Sequence, residues 1–268
     1  MLELNNFYIG ESVSFMKENI PDNFVNLTVT SPPYDDLRNY NGYIFDYKSI
    51  IKELYRVTKE GGIVTWIVED TTKNFCETLT SFNQAIYAKE IGFNVLDTMI
   101  YFKESYAPAY PTMRRYANQF AYMFVFSKGK PNIFNPIQVE KVRHKDEKRK
   151  YRQKDGSLIS KTTLNTKETK DASNVWSYAT GGSCTKDKIA FGHPAIFPEK
   201  LAQDHILSWS NEGDIVFDPM CGSGTVPKMA YLNNRSFIGT DISEEYINNI
   251  AIPRLKEHGW NEQLHKAN

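Results

Sequence analysis

A doubly wound α/β fold with a mostly parallel sheet, interrupted by a basic insert, is the architecture this sequence predicts, on three observations. Short apolar runs alternate with helical patterns in strand, helix, strand order, which implies parallel strands joined by crossover helices. Late in the chain, two more strand patterns flank a glycine-rich turn. Between these regions, over residues 131–189, the hydrophobic periodicity fails and basic residues gather.

The elements follow in order. Residues 23–30, NFVNLTVT, read as a short buried strand. Residues 46–62 place Ile50, Ile51, Leu54, Tyr55 and Val57 at helical spacing before a glycine stop, and residues 63–68, IVTWIV, read as the next strand. Two apolar runs, 94–102 and 120–129, are separated by a polar, proline-containing loop and are expected as neighbouring strands at one end of the sheet. Within the insert, Lys141, Arg143, Lys148, Arg149, Lys150 and Arg152 form a basic run that Lys161, Lys167 and Lys170 extend. A solvated surface loop is one reading of such a run. An electrostatic footprint for phosphates is the other, and a one-signed excess in a chain whose Lys+Arg and Asp+Glu both number 32 favours it. Regular structure then returns as a helix at 197–210, a strand at 213–219, a turn entering a helix at 222–233, a strand at 235–243 and a helix at 244–259, bent at Pro253.

The totals bound the function. A length of 268 residues with 41% apolar content suffices for one large α/β domain with an insert. Cys76, Cys184 and Cys221 lie far apart without a CxxC pair, which argues against a zinc site or a disulfide framework and for a reducing cytoplasm. No leader pattern opens the sequence, and no apolar run approaches the ~20 residues that cross a bilayer, so no membrane partner is expected. His193, beside Pro194, reads as a backbone positioner because no second ligand sits at useful spacing; no metal is expected.

The turn FDPMCGSGT, residues 217–225, leaves a strand and enters a helix through Gly222 and Gly224, which let a ligand approach the backbone beside the helix N-terminus. Asp241, at the end of the next strand, fits the acid that binds ribose hydroxyls about 20 residues after such a turn. A tight structural turn with Asp241 as a helix cap is the competing reading. The phosphate-loop pattern GxxxxGK[ST] is absent, and Pro227 stands where a dinucleotide fingerprint needs its third glycine. An adenosine ligand without a pyrophosphate, such as S-adenosylmethionine, remains.

The second motif is TSPPY, residues 30–34, which also leaves a predicted strand. Ligands sit beyond the carboxyl ends of strands in a doubly wound sheet, so both motifs should open onto one site. A proline pair taken alone is more often a rigid loop; its glycine-turn partner reverses those odds.

Together, TSPPY early and FDPMCGSGT late resemble the DNA amino-methyltransferases, and the motif order with a basic insert in the middle resembles the β group of that family. IGESVSFMKENIPDN (9–23), LYRVTKEGG (54–62) and HPAIFPEKL (193–201) agree in place. The resemblance implies a Rossmann-like methyltransferase fold with permuted motif order. In it, residues 1–130 form the catalytic part, 131–190 a target-recognition insert and 191–268 the cofactor-binding part of one domain. It implies S-adenosylmethionine as cofactor, held by Glu11, Phe197, Asp218, Pro219, Cys221, Gly222, Gly224, Thr225 and Asp241. Glu11 departs from the Gly-Asp pair usual in the lead-in. Ser31, Pro32, Pro33 and Tyr34 become the catalytic set, in which a leading serine tends to accompany N4-cytosine and a leading aspartate N6-adenine methylation.

An exocyclic amine is a poor nucleophile because its lone pair is delocalised into the ring. The Ser31 hydroxyl and Pro32 carbonyl would accept its two N–H bonds and favour a tetrahedral nitrogen, while Tyr34 stacks on a base rotated out of the duplex. No Pro-Cys occurs, which disfavours C5-cytosine chemistry. Arg38, Arg114 and Arg115 are candidate contacts to double-stranded DNA, beside the insert's basic residues. The expected function is site-specific N4-cytosine methylation in a bacterial or phage cytoplasm, with N6-adenine second. A homodimer and a cognate restriction enzyme are the partners the family allows. An RNA or small-molecule methyltransferase and a non-catalytic DNA-binding module are the rivals.

Overall fold

A computed structural model describes residues 2–33, 45–107, 112, 114–141, 147–163 and 168–261. They divide into two compact units, one of Met1–Asn135 with Asn174–Asn268 and one of Pro136–Ser173.

The first unit opens with β1 (Asn6–Ile9), α1 (Ser12–Asn19), β2 (Val25–Thr30), α2 (Tyr47–Val57) and β3 (Thr58–Val68). A small hairpin of β4 (Thr72–Lys73) and β5 (Cys76–Glu77), then α3 (Thr80–Glu90), β6 (Asn94–Lys103) and β7 (Phe120–Ser127), follow. The second unit holds β8 (Gln138–Glu140), β9 (Glu147–Arg152), β10 (Leu158–Thr163) and β11 (Thr169–Asp171). The chain re-enters the first unit with β12 (Val175–Tyr178), α4 (Glu199–Trp209), β13 (Ile215–Asp218), α5 (Thr225–Leu232) and β14 (Ser236–Asp241). It ends with α6 (Glu244–Tyr246), a π turn at Ile247–Ala251 and α7 (Ile252–Lys256).

Among the described residues the main sheet has eight strands in the order β1-β14-β13-β2-β3-β7-β6-β12. All neighbours are parallel except those of β7, which runs antiparallel between β3 and β6. The two late apolar runs are thus neighbouring strands, as their pattern predicts. Successive side chains leave a strand on opposite faces, and the sheet is buried on both. Leu27, Val29, Ile63, Ile67, Val125 and Val216 pack with α4, α5 and the C-terminal helices. Val25, Val64, Trp66, Phe124, Phe126 and Phe217 pack with α1, α2 and α3. Trp66 also donates from Nε1 to Gln84 Oε1 at 2.7 Å, which ties α3 to that face.

The connection β2-α2-β3 runs toward one edge of the sheet and β13-α5-β14 toward the other, with their helices on opposite faces. Strand order therefore reverses between the adjacent strands β2 and β13, and such a switch point opens a crevice at the strands' carboxyl ends.

The irregularity near the C-terminus lies upstream of its expected place. Pro253 sits in the first turn of α7, where its missing N–H is tolerated, and the chain relaxes as a π turn just before it. In the second unit β8 pairs with β11 and β9 with β10, both antiparallel. Among the described residues, no helix is long and apolar enough to cross a membrane.

Candidate active site

The crevice is real: a cleft of about 1640 Å³ opens at the switch point of the first unit, lined by both motifs. Ser31, Pro32 and Pro33 leave the end of β2 into it, and Asp218, Pro219, Cys221 and Gly222 leave β13 into it. A direct bond couples the two strand ends. Thr30 Oγ1 donates to Asp218 Oδ1 at 2.8 Å, and the Met220 N–H donates to the same oxygen at 3.2 Å.

Pro219 O is a second node, accepting from Ser12 Oγ at 2.6 Å and Thr240 Oγ1 at 2.9 Å. Three strand ends are thereby held around the turn. Gly222 takes a φ of +47°, and a Cβ there would stand 2.7 Å from His193 Nε2. Gly224, at φ +72°, lies outside the cleft lining; a Cβ on it would meet Ala251 Cβ at 2.8 Å. The first glycine shapes the cleft and the second admits the C-terminal helix. Asp241 uses both oxygens locally, Oδ2 accepting from Gly222 N at 2.8 Å and Oδ1 from Ser243 N at 2.9 Å. It therefore braces the turn while facing the cleft, but the cap of α6 is Ser243, whose Oγ accepts from Tyr246 N at 3.2 Å, so the helix-cap reading of this acid does not hold.

Burial pushes the Asp218 carboxyl up to about 7, against the hydrogen bonds from Thr30 and Met220. Asp241 is also raised, chiefly by burial. Neither forms an ion pair with Lys or Arg among the described residues. Two cleft acids that no Lys or Arg side chain pairs among the described residues suit a cationic ligand, and each carboxylate oxygen retains lone-pair capacity for a hydroxyl donor. Cys221 is buried and its thiol is pushed well up, so it stays neutral.

Glu11 caps α1, accepting from Val13 N at 2.9 Å and Ser14 N at 2.8 Å, and also lines the cleft. Thr225 lines it from the first turn of α5 and Phe197 from the segment before α4. His193 packs edge-on against Tyr246 with ring centroids 4.4 Å apart. Its Nδ1 lies 2.8 Å from Ala195 O, the backbone role its neighbours suggest. Arg115 lines the mouth of the cleft and is exposed; Arg114 is exposed outside the lining. Tyr34, Arg38 and Arg143 lie outside the described residues. Lys141, Lys150 and Arg152 belong to the second unit, and Lys148 and Arg149 are placed there by backbone alone.

Sequence reasoning missed three polar residues that line the cleft: Glu69, just past β3, Lys103, the last residue of β6, and Asn118, before β7. The available signal was alternation: Glu69 follows Ile67, and Lys103 follows Tyr101, by two residues on the core face of their strands.

The N6/N4 family model described as DNA methylase matches residues 25–252. The orphan methyltransferase M.BamHII of Bacillus amyloliquefaciens is 56% identical over 249 residues, covering 91% of this chain and 93% of that one. The type II methyltransferase M.HpaI of Haemophilus parainfluenzae is 28% identical, covering 86% and 68%. Among solved structures, PvuII DNA methyltransferase (cytosine-N4-specific) superposes with a TM-score of 0.65 at 18% identity, covering 94% of this chain and 90% of that one. The M1.HpyAVI–SAM complex superposes with a TM-score of 0.61 at 20% identity, covering 93% and 98%. With the family match spanning both motifs of the switch-point site, the chain belongs to the N6/N4 DNA methylases and is a DNA methyltransferase.

Proposed function

We propose that this enzyme methylates the exocyclic N4 of cytosine at a specific DNA site, on a base rotated out of the duplex. The observation that carries this reading is Ser31: a hydroxyl, not a carboxylate, leads the two prolines at the switch-point cleft.

The methyl donor is S-adenosylmethionine, which supplies an electrophilic methyl group on a sulfonium. The residues present suit it. Asp218 and Asp241 offer negative charge and hydroxyl acceptors, and Gly222 keeps the turn low enough for close approach. Phe197 and Thr225 add apolar and hydroxyl surface.

On the substrate side, Pro32 and Pro33 hold their backbone at φ near −65°, so the Ser31 hydroxyl and Pro32 carbonyl do not have to be ordered during the reaction. Each accepts one N–H of the target amine, which draws the nitrogen out of conjugation and frees its lone pair. No general base has to act before transfer. A base inside the duplex cannot reach two acceptors at the bottom of a cleft, so rotation out of the stack is required. Exposed Arg115 and Tyr116, at the cleft mouth, supply a cation for phosphate and a ring for stacking. The basic second unit supplies much of the sequence reading. The name of the Bacillus relative, an orphan methyltransferase, favours a chain that acts without a cognate restriction enzyme.

Plasmid DNA from cells expressing the enzyme, digested to nucleosides and separated by mass spectrometry, is expected to contain N4-methylcytosine. N6-methyladenine alone would overturn the cytosine reading and leave the methyltransferase intact.

A further inference from the structure

Val29, Ile67 and Tyr101 share one face of the sheet. Two residues further along each strand, Ser31, Glu69 and Lys103 continue that face and all line the cleft. Lys103 Nζ stands 2.5 Å from Glu69 Oε1, with side-chain exposures of only 18% and 14%. The other carboxylate oxygen, Oε2, accepts from Asn118 Nδ2 at 3.2 Å. Asn118 is oriented by the N–H of Phe120, which donates to its Oδ1 at 3.3 Å. The backbone of Lys103 is pinned too, its N–H donating to Gln119 O at 2.9 Å and its carbonyl accepting from Gln119 Nε2 at 3.1 Å.

A mostly desolvated ion pair is a poor structural device, because removing each ion from water costs several kcal/mol that an apolar pair avoids. Here Glu69 spends both oxygens on holding two donors. Lys103 and Asn118 each retain N–H groups beyond those Glu69 takes, in the cleft that Ser31 also lines. A flipped base is read on its Watson–Crick edge. Beside its amine, adenine presents one ring acceptor and then a C–H, whereas cytosine presents two acceptors, N3 and O2. A pair of donors next to the amine site fits cytosine.

Resting on the N4-cytosine reading above, we propose that Lys103 and Asn118, held in place by Glu69, hydrogen-bond N3 and O2 of the flipped cytosine and so determine target specificity. Glu69 is a positioning residue, and the two donors touch the base.

The test uses duplexes carrying the site mapped from DNA methylated by the wild-type enzyme, with either cytosine or 2-thiocytosine at the target position. Sulfur is the weaker acceptor, and the amine is unchanged. Wild-type kcat/KM is expected to fall about tenfold on the thio target. Glu69→Gln/Lys103→Met, which leaves no unpaired buried charge, is expected to lose about tenfold to a hundredfold on cytosine and to respond far less to the thio substitution. Asn118→Ala, a milder change, should behave likewise. An unchanged rate on cytosine, or a thio effect as large in both variants as in wild type, would overturn the proposal, since a purely structural role lowers both substrates alike. Wild-type product is identified first: N6-methyladenine alone removes the cytosine reading and this inference with it, whereas N4-methylcytosine with an unaltered thio effect removes the inference only.

Discussion

At Asp218 two influences oppose each other. Burial favours the neutral acid, while the Thr30 hydroxyl and Met220 N–H favour the carboxylate, and burial prevails, with a value of about 7 against an ordinary 3.8. A raised carboxyl contributes stability that is complete below its unfolded value and lost as pH rises through its folded value. Ligand-free enzyme should therefore lose stability from this group between about pH 4 and pH 7. Asp218→Asn keeps an acceptor for Thr30 and Met220 but cannot ionise, so urea melts should show the variant gaining on wild type across that window, by on the order of 4 kcal/mol at most. S-adenosylmethionine affinity, measured by calorimetry, should fall in the same variant because a cation loses its counter-charge. A difference in stability that does not vary with pH would remove Asp218 as the titrating group. Residues of this kind differ in how far sequence exposes them. Ser31, Gly222 and Asp241 are legible because their chemistry is written in contiguous stretches. Glu69, Lys103 and Asn118 are not, since they meet only when β7 inserts antiparallel between β3 and β6.

Between single residues and the whole sheet stands the turn from β13 to α5, and a buried network steadies it from the far end of the chain. Arg254, fully buried on α7, donates to Ser223 O at 3.0 Å and Thr225 Oγ1 at 2.8 Å. The same guanidinium reaches Asp187 at 2.7 Å and Glu199 at 2.5 Å, and Lys228 of α5 bonds both acids at 2.6 and 2.7 Å. For Asp187, burial raises the carboxyl, but the bonds and charges of Lys228 and Arg254 outweigh it and hold the group well below its ordinary range. Arg254→Met leaves two acids sharing one lysine and should cost about 3–5 kcal/mol in urea denaturation at neutral pH. A depressed carboxyl stabilises above its unfolded value of 3.8 and loses that contribution as pH falls through the lower folded one. The gap between variant and wild type should accordingly narrow below about pH 4. Arg254→Lys restores charge without the planar fork and should recover only part of the loss. A cost under about 1 kcal/mol would show that the network is not what holds the turn. The helix itself was foreseeable from its apolar spacing, but the role of Arg254 was not, because its partners lie 29 to 69 residues away in sequence.

For the molecule as a whole, the doubly wound class follows from strand and helix patterns that local periodicity carries, and the switch point follows from where the two motifs fall. The return of the chain to the sheet at β12 is not legible: four residues, Val175–Tyr178, are too short for alternation to stand out, and only their pairing with β6 reveals the strand. The compact unit of Pro136–Ser173 is marked in the sequence by composition alone, basic and poor in apolar residues. Its paired strands bond within the unit, β8 to β11 and β9 to β10, whereas both buried cores draw all their residues from the other unit. Replacing residues 136–173 with a short Gly-Ser linker should therefore leave the melting temperature within a few degrees and S-adenosylmethionine affinity within about twofold, while site-specific methylation is lost. Exposed Lys150, Arg152 and Lys161 lie on β9 and β10, and each phosphate contact contributes about −0.9 to the slope of log K against log salt. Changing all three to alanine should flatten that slope by up to about 3, measured by DNA binding at a series of salt concentrations. If the linker variant keeps its methylation pattern, or the triple variant keeps the wild-type slope, target reading lies in the methyltransferase unit itself and the basic unit is only a solvated appendage.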